Sequence, residues 1–208
     1  MEKLKVLFVE DDPDWQEGIR NYLEGNKEID LFSIASTAEE CFAVLRQERV
    51  DVVLMDIFLG DRQANGLDVT LDITIQFPNV KVIMLTSLDK DDDIFNEAFM
   101  NGAYEYIYKH EFELLPDTIV SAKRNGTHKI GERLRKLVYE KKKSLLSKGD
   151  RELLKLITAG KTQAEISERL CISLAGVKKH IGRLMKKFQW RGTSKELADK
   201  CRKWGLLE

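Results

Sequence analysis

The sequence contains no long apolar segment. No stretch of 18 or more uncharged apolar residues occurs among its 208 residues, so a membrane-spanning helix is not expected. The start, MEKLKVLFVE, has neither the apolar run nor the small-residue cleavage site of a secretion signal. We therefore expect a cytoplasmic protein.

Cysteine and histidine are scarce and scattered. The three cysteines, Cys41, Cys171 and Cys201, are odd in number and far apart, which is typical neither of a disulfide framework nor of a zinc site built on close cysteine pairs. We interpret them as reduced packing or surface residues. A metal site built on histidine is not expected either, because the three histidines are equally dispersed, at His110, His128 and His180.

The net charge of −1 conceals a strong asymmetry between the two halves of the chain. Residues 1–120 hold 10 Lys/Arg and 26 Asp/Glu, a balance of −16, whereas residues 121–208 hold 24 and 9, a balance of +15. This difference favours two domains with different partners, and the basic half is a candidate for binding a polyanion. Two solvated faces that also attract each other would give the same count.

Apolar, β-branched runs in the acidic half predict buried strands. Three strong runs are LKVLFV at 4–9, VDVVLMD at 50–56 and VKVIMLT at 80–86, and two weaker ones are IDLFSIA at 29–35 and AYEYIY at 103–108. Near-continuous apolar character is typical of strands covered on both faces of a parallel sheet. Segments with helical spacing separate the runs, which predicts an α/β doubly wound, five-stranded parallel sheet with right-handed connections.

Capping signals mark the helix starts. Capping boxes, in which a hydroxyl is followed three residues later by a carboxylate, begin at Thr37, Ser147, Thr162 and Thr193, and a further helix is predicted after Ser173. The basic half therefore contains four short helices and no clear strand. The last helix of the acidic half is predicted over about 112–124. We divide the chain into an α/β domain at 1–123, a basic and partly helical linker at 124–146, and a small all-α domain at 147–208.

Polar residues follow the predicted strands at one edge of the sheet, namely Glu10, Asp11 and Asp12 after the first, Asp56 after the third, Thr86 at the end of the fourth and Lys109 after the fifth. The carboxyl ends of parallel strands meet at one crevice, so these side chains are expected to converge. Clustered carboxylates repel unless a cation joins them, and Mg²⁺ prefers such oxygen ligands. Taken singly, each residue could be only a helix cap or a solvated charge.

Asp56 is the candidate nucleophile of this crevice. It stands alone at the end of the central apolar strand. A carboxylate is a competent phosphoryl acceptor, and a metal ion, a hydroxyl and a lysine could neutralise the oxygens of the incoming phosphoryl group.

The segments VLFVEDDP, VVLMDI, MLTS and GAYEYIYKH resemble those of bacterial response-regulator receiver domains, and the resemblance covers residues 1–123. It implies a flavodoxin-like fold and a histidine kinase that phosphorylates Asp56. It also implies that Glu10 and Asp11 bind Mg²⁺ together with Asp56. Asp12 is followed by a proline, which predicts from the residues alone that Asp12 caps the first helix.

The same resemblance assigns roles to three further residues. Thr86 forms a hydrogen bond to the phosphoryl group, and Lys109 forms an ion pair with it. Tyr106 is the aromatic residue whose rotamer reports the state of Thr86. The loop after the acceptor departs from the family pattern, because it lacks the usual Met-Pro turn and places Gly66 two residues late. We expect the Gly60–Gly66 loop to differ in conformation and to affect the rate of dephosphorylation.

The segment TQAEISERLCISLAGVKKHIGRLMKKF predicts two helices joined by a short turn. In the second helix, Val177, Ile181, Leu184 and Phe188 recur at helical spacing and form one buried stripe. The opposite face is cationic and consists of Lys179, Gly182, Arg183 and Lys186, with Lys178 at its edge.

The GVKKH core and the preceding E-I-S-x-x-L-x-I-S resemble LuxR-type helix-turn-helix domains over about residues 147–206. In helix-turn-helix proteins the second helix enters the major groove, with its N-terminal residues nearest the bases. We therefore assign Lys178 and Lys179 to base or near-base contacts. Contacts to phosphates are assigned to Lys161, Arg183 and Lys186.

Together these features predict a two-component response regulator in which phosphorylation of Asp56 controls homodimerisation and binding to double-stranded DNA, and thereby transcription. No catalysis is expected beyond slow self-phosphorylation from small donors and self-dephosphorylation. A haloacid-dehalogenase-type phosphatase is one alternative, but it needs a carboxylate two residues after the nucleophile, where Phe58 stands. A receiver whose basic domain binds RNA or a protein is the other alternative.

Overall fold

The computed structural model describes residues 2–60, 65–87, 91–124 and 129–208, except for the side chain of Ile130. The chain divides into two compact units, Met1–Lys136 and Leu137–Glu208. Each unit has its own buried apolar residues. No helix within the described ranges has the length and apolar character needed to cross a bilayer.

The first unit is built on a parallel sheet. Its five strands are β1 (Leu4–Val9), β2 (Ile29–Ala35), β3 (Val52–Met55), β4 (Lys81–Thr86) and β5 (Glu105–Tyr108). They pair in the order β2-β1-β3-β4-β5, and every neighbouring pair is parallel. The predicted α/β doubly wound fold is confirmed. The strand order reverses between β1 and β3, so the crevice in which such sheets bind ligands lies beyond their carboxyl ends.

Burial on both faces explains why the central strand is wholly apolar. In β3, Val53 and Met55 belong to one hydrophobic cluster, and Val52 and Leu54 belong to the other. All four residues are fully buried. Successive strand residues point to opposite faces, so two covered faces leave no place for a polar side chain before the strand ends. Asp56 is the first polar residue after β3.

Helices cover both faces of this sheet. Residues of α2 (Ala38–Gln47), α3 (Gly66–Gln76) and α4 (Asp92–Met100) pack in one cluster, and residues of α1 (Pro13–Leu23) and α5 (Leu115–Arg124) pack in the other. This arrangement leaves the carboxyl edge of the sheet to the loops, where the predicted site residues stand.

The helix starts follow their capping signals, with one difference. Asp12 caps α1 by accepting a hydrogen bond from a backbone N–H of the first turn at 2.9 Å. Thr37 caps α2 by accepting from Glu40 N at 3.2 Å, but the Glu40 carboxylate accepts from Ser36 N at 2.7 Å and not from Thr37 N. The predicted box is therefore half formed, because the carboxylate satisfies the amide one residue earlier.

The last helix of this unit begins later than the sequence predicts. The prediction was a helix over about 112–124, whereas the chain first forms a 3₁₀ turn at Lys109–Leu114 and then α5. Glu111 interrupts the turn with φ −109° and ψ 22°. Pro116 lies in the first turn of α5, where its fixed φ and missing N–H are tolerated.

The second unit is all α. Helix α6 (Lys129–Ser144) crosses the boundary between the units, and it is followed by α7 (Lys148–Thr158), α8 (Gln163–Leu170), α9 (Leu174–Lys187) and α10 (Ser194–Lys203). The last four are the predicted helices of the small domain. Their three predicted capping boxes are confirmed, each with both hydrogen bonds present, at Ser147, Thr162 and Thr193.

A tight turn joins α8 to α9. Cys171 ends α8 with φ 52° and ψ 42°, in the left-handed region, and it is exposed. Ser173 caps α9, its Oγ accepting a hydrogen bond from Gly176 N at 3.1 Å. The other two cysteines, Cys41 and Cys201, are fully buried.

Candidate functional sites

The carboxyl ends of β1, β3 and β5 bring three predicted residues into contact. Lys109 Nζ lies 2.6 Å from Glu10 Oε2 and 3.2 Å from Asp56 Oδ2. Glu10, Asp56 and Lys109 are 1%, 6% and 5% exposed, so their charges interact with little screening by water. Asp56 Oδ1 accepts a hydrogen bond from Ile57 N at 2.7 Å. Together these contacts fix the Asp56 carboxylate at the sheet edge.

Glu10, Asp11 and Asp56 form a carboxylate cluster, with one oxygen of each lying within 4.8 Å of the others. Glu10 Oε1 accepts from Asp12 N at 3.2 Å, while Glu10 Oε2 faces the Lys109 ammonium. Asp11 is exposed and opens the cluster to solvent. Three carboxylate ligands and an open side fit Mg²⁺, which prefers oxygen ligands and retains several waters when bound.

Burial controls the protonation of the two inner carboxyls. Burial raises the pKa of Glu10 to about 7, with Lys109 opposing the rise and Asp56 adding to it. Burial also raises the pKa of Asp56, against the opposing effect of Lys109. A cation among these oxygens would lower both pKa values, because it favours the ionised forms. A bound cation would therefore stabilise the charged form of the cluster.

The predicted switch residues lie on adjacent strands. Thr86 ends β4 and is fully buried, and Tyr106 in β5 is 9% exposed. The Tyr106 ring packs edge-on against Phe95 of α4 and Tyr108, with centroid distances of 5.3 Å and 5.5 Å. Thr86 pairs in the ladder with Tyr108, two residues beyond Tyr106. Because of this packing, a movement of the Tyr106 ring would change its contact with Phe95 of α4.

The loop after the acceptor is described only at its two ends. Residues 61–64 lie outside the described ranges, so the unusual conformation expected for Gly60–Gly66 stays a prediction. Phe58 and Asn65 form an antiparallel bridge that closes the loop. A Cβ atom on Gly66 would overlap the carbonyl oxygen of Asp56. This close approach requires glycine at position 66.

Helix α9 presents a cationic outer surface. Val177 and Leu184 are fully buried, and Ile181 and Phe188 are half-buried, so the predicted apolar stripe is present. The residues predicted on the outer side are all exposed, namely Lys178, Lys179, Gly182, Arg183 and Lys186.

Two of the cations predicted to contact phosphates also contact acidic groups of the protein. Lys161 Nζ lies 2.9 Å from Glu165 Oε1, one turn further along. Arg183 Nη2 lies 3.8 Å from Asp150 Oδ1, although its side chain is 62% exposed. These contacts reduce the charge that Lys161 and Arg183 can offer to a polyanion.

Both units match known families. Residues 6–119 match the family described as response regulator receiver domain, and residues 144–198 match the family of bacterial regulatory proteins, luxR family. The chain belongs to the response regulators. This response regulator combines a receiver domain with a LuxR-type DNA-binding domain, as the sequence segments predicted.

Relatives of this response regulator match it over most of their length. The response regulator protein VraR of Staphylococcus aureus (strain NCTC 8325 / PS 47) is 28% identical over 192 residues, covering 89% of this chain and 90% of VraR. A solved RcsB–DNA complex matches with a TM-score of 0.56 and 19% identity, over 96% of this chain and 98% of that one. RcsB of Salmonella typhimurium matches with a TM-score of 0.55 and 20% identity over the same shares. At these identities the RcsB structures show the fold.

Trp15 is a residue of the response regulator's pocket that the sequence did not single out. Its indole ring lies 5.0 Å from Lys109 Nζ, measured to the ring centroid. A cation over the face of a tryptophan ring is attracted to it, so Trp15 helps to hold Lys109 beside Asp56. The sequence feature that could have indicated it is its place in the first turn of α1, three residues after Asp12.

Asp150 is a second residue whose role the sequence revealed only in part. Its carboxylate accepts from Ser147 N at 3.0 Å, which is the predicted capping contact. It also contacts α9, where His180 Nε2 lies 2.6 Å from Oδ1 and Lys187 Nζ lies 2.9 Å from Oδ2. Periodicity within one helix cannot reveal contacts between residues that are 30 and 37 positions apart.

Proposed function

We propose that this response regulator is a phosphorylation-controlled transcription factor. A histidine kinase phosphorylates Asp56 in a Mg²⁺-dependent reaction in the cytoplasm, and phosphorylation controls homodimerisation and sequence-specific binding of duplex DNA. The receiver domain occupies 1–123, the linker 124–146 and the DNA-binding domain 147–208. The observation that carries the proposal is the buried Asp56 carboxylate, with Lys109 Nζ at 3.2 Å and two further carboxylates beside it.

Phosphoryl transfer uses the groups of this pocket. A carboxylate oxygen of Asp56 attacks phosphorus, and the phosphorus–nitrogen bond to the kinase histidine breaks, its electron pair staying on the imidazole nitrogen. Lys109 pairs with the phosphoryl oxygens, and the Thr86 hydroxyl donates a hydrogen bond to one of them. Bound by Glu10, Asp11 and Asp56, Mg²⁺ would supply positive charge between the acidic cluster and the incoming group.

The signal leaves the pocket through Thr86 and Tyr106. Movement of Thr86 toward the phosphoryl group opens space beside β5 for the Tyr106 ring, which packs against Phe95 of α4. The surface of the receiver domain at α4 then differs between the two states. A partner that binds one state better, including a second copy of the chain, shifts the equilibrium toward that state.

Helix α9 is the DNA-reading element of the proposal. Lys178 and Lys179 contact base edges in the major groove, and Lys161, Arg183 and Lys186 contact phosphates. Support comes from the exposed cationic face of α9 and the buried stripe behind it. A solved structure describes RcsB from Salmonella enterica serovar Typhimurium bound to promoter rprA in the presence of phosphomimetic BeF3⁻, and we propose a similar use of α9 here.

Mass spectrometry tests the phosphoacceptor. The full chain is incubated with Mg²⁺ and acetyl phosphate, and the site is located by peptide mapping. We expect one phosphoryl group on Asp56 in the wild type and none in Asp56→Ala. Asp14→Ala, which removes an exposed acid from α1, should be phosphorylated like the wild type. Undiminished incorporation in Asp56→Ala would overturn the assignment.

A selection from random duplex DNA, with and without acetyl phosphate, tests the output. Two-fold-related half-sites, enriched more strongly in the phosphorylated sample, are the expected result, because a symmetric dimer binds a symmetric site. Enrichment of RNA, or no preferred duplex at all, would favour the RNA-binding or protein-binding alternative.

Enzymatic turnover is not part of the proposal. Phe58, two residues after the nucleophile, is 59% exposed and offers no acid or base for a phosphatase mechanism. We propose that the chain catalyses only its own slow phosphorylation from small donors and its own dephosphorylation. Steady hydrolysis of a phosphomonoester would contradict this.

A further inference from the structure

One carboxylate in the second unit contacts three basic side chains of the DNA-reading helix. Asp150 is 0% exposed, and its Oδ1 and Oδ2 lie 2.6 Å from His180 Nε2 and 2.9 Å from Lys187 Nζ. Arg183 Nη2 follows at 3.8 Å from Oδ1. These three residues of α9 recur at positions three and four apart, so they share one face of the helix.

The same carboxylate is fixed to its own helix. Asp150 Oδ2 accepts from Ser147 N, and Ser147 Oγ accepts from Asp150 N at 3.2 Å, which completes the capping box of α7. Lys187 extends the connection, because its Nζ also donates to Leu145 O at 2.9 Å. The start of α7 is therefore tied to one flank of α9, beside its buried stripe, at two points, near the middle of α9 and near its end.

This tie depends on charge. Burial alone would raise the pKa of Asp150, but hydrogen bonds from His180, Lys187 and Ser147 hold that pKa well below its ordinary value. Removing the charge leaves the Lys187 ammonium beside a neutral group in a partly buried position, which is unfavourable. A neutral side chain of the same shape would keep the packing volume but weaken both contacts to α9.

We propose that Asp150 is a positioning residue for DNA recognition, fixing the rotation and axial position of α9 so that Lys178 and Lys179 meet base edges. The inference rests on the proposed DNA binding by α9. Phosphate contacts tolerate small displacements because the charge interaction is long-ranged, whereas a bidentate base contact does not. Loss of the tie should therefore reduce specificity more than overall affinity for DNA.

The experiment compares Asp150→Asn with Glu152→Gln in the phosphorylated full chain. Glu152 lies on the same helix and is exposed, so its variant removes an equal charge without touching the tie. Dissociation constants are measured for the selected site and for a scrambled duplex at one salt concentration. In Asp150→Asn we expect binding to the selected site to weaken about tenfold or more while scrambled-duplex binding changes less than about twofold. Glu152→Gln should match the wild type on both.

His180→Ala serves as the second variant, because it removes the Nε2–Oδ1 contact of the tie and leaves the Asp150–Lys187 contact in place. It should lower the ratio of specific to non-specific affinity by less than Asp150→Asn, and it decides the question if Asp150→Asn does not fold, as judged by circular dichroism. An unchanged ratio in a folded variant overturns the positioning role. A wild-type chain without any preferred duplex overturns the proposed DNA recognition itself, which is a distinct result.

Discussion

Asp11 and Asp12 are neighbours in the chain with different environments. Asp11 belongs to the carboxylate cluster with Glu10 and Asp56, whereas Asp12 caps α1. The strand-end position predicts that both lie near the crevice. The turn into α1 separates them, because the cap has to direct its oxygen toward the backbone N–H groups of the helix.

Two substitutions at these neighbours test the metal site. Asp11→Asn should weaken Mg²⁺ binding about tenfold or more and slow phosphorylation, because it removes an anionic ligand. Asp12→Asn should bind Mg²⁺ within about twofold of the wild type, since asparagine caps a helix as well as aspartate does. Titration calorimetry with MgCl₂ measures both. Equal loss in the two variants would contradict the assignment of Asp11 as a ligand.

Gly66 lies against the backbone of Asp56, and its substitution can be compared with that of Gly18, a glycine in an open position. Gly66→Ala should lower the free energy of unfolding by about 2–4 kcal/mol, because the added methyl group overlaps the Asp56 carbonyl oxygen and the backbone has to shift. Gly18→Ala in α1 has nothing within 4 Å of the added atom and should raise it by about 0.5–1 kcal/mol. Urea unfolding followed by circular dichroism compares them. A Gly66→Ala protein as stable as the wild type would contradict the close approach.

The pocket residues were predictable one by one because each is a polar residue at the end of an apolar strand. Glu10, Asp56 and Lys109 meet as expected. Trp15 and the second role of Asp150 were not predictable, since each depends on which elements pack together and no local pattern carries that information.

At the scale of elements, the opposite end of the sheet is held by another buried acid. Asp51, just before β3, accepts from Lys5 N of β1 at 3.1 Å and from Lys123 Nζ of α5 at 2.7 Å. Burial would raise the pKa of Asp51, but Lys123 and the Lys5 backbone amide lower it below its ordinary value. The charged carboxylate therefore joins a helix to two strands.

The stabilisation from Asp51 should depend on pH. Its folded-state pKa is lower than its unfolded-state pKa, so its contribution is present above the ordinary carboxyl pKa and is lost as the pH falls through the folded value. Asp51→Asn should lower Tm relative to wild type at about pH 7, and the difference should shrink toward about pH 3.5. Asp30→Asn, an exposed acid of β2, is the control and should show no such trend. A difference for Asp51→Asn that stays constant across this range would show that charge is not the cause.

Strands and helix caps were the elements best predicted, because a continuous apolar run and a capping hydrogen bond are local features. The predicted strand at 29–35 coincides with β2. The late start of α5 was missed, since the 3₁₀ turn at Lys109–Leu114 forms where the chain leaves the pocket and not where an apolar pattern begins.

At the scale of the whole molecule, the charge asymmetry predicted two units but not where they meet. Composition changes near Arg124, whereas the compact units divide within α6. Leu134 of α6 packs against the core of the first unit, and Val138, one turn later, belongs to the second. Because α6 is basic on both sides of this boundary, composition alone does not show where one unit ends and the next begins.

The basic half also predicts a salt-dependent affinity for DNA. Lys186→Ala should reduce the slope of log K against log salt by about 1, because it removes one of the proposed phosphate contacts. Lys161→Ala should change the slope less, since the Lys161 ammonium already pairs with Glu165 at 2.9 Å. Fluorescence anisotropy across a salt series measures both slopes. Equal changes would mean that Lys161 leaves Glu165 on binding.

The exposed thiol of Cys171, in the turn between α8 and α9, offers a site for chemical labelling. Burial raises the pKa of both the Cys41 and Cys201 thiols to about 12, so neither is available as a thiolate at neutral pH. The exposed Cys171 is then the one thiol of this chain open to a maleimide reagent. A spin label or fluorophore can thus be attached to the natural sequence at the base of α9. Its signal would report on α9, the proposed DNA-reading helix, during the proposed phosphorylation, without any engineered cysteine.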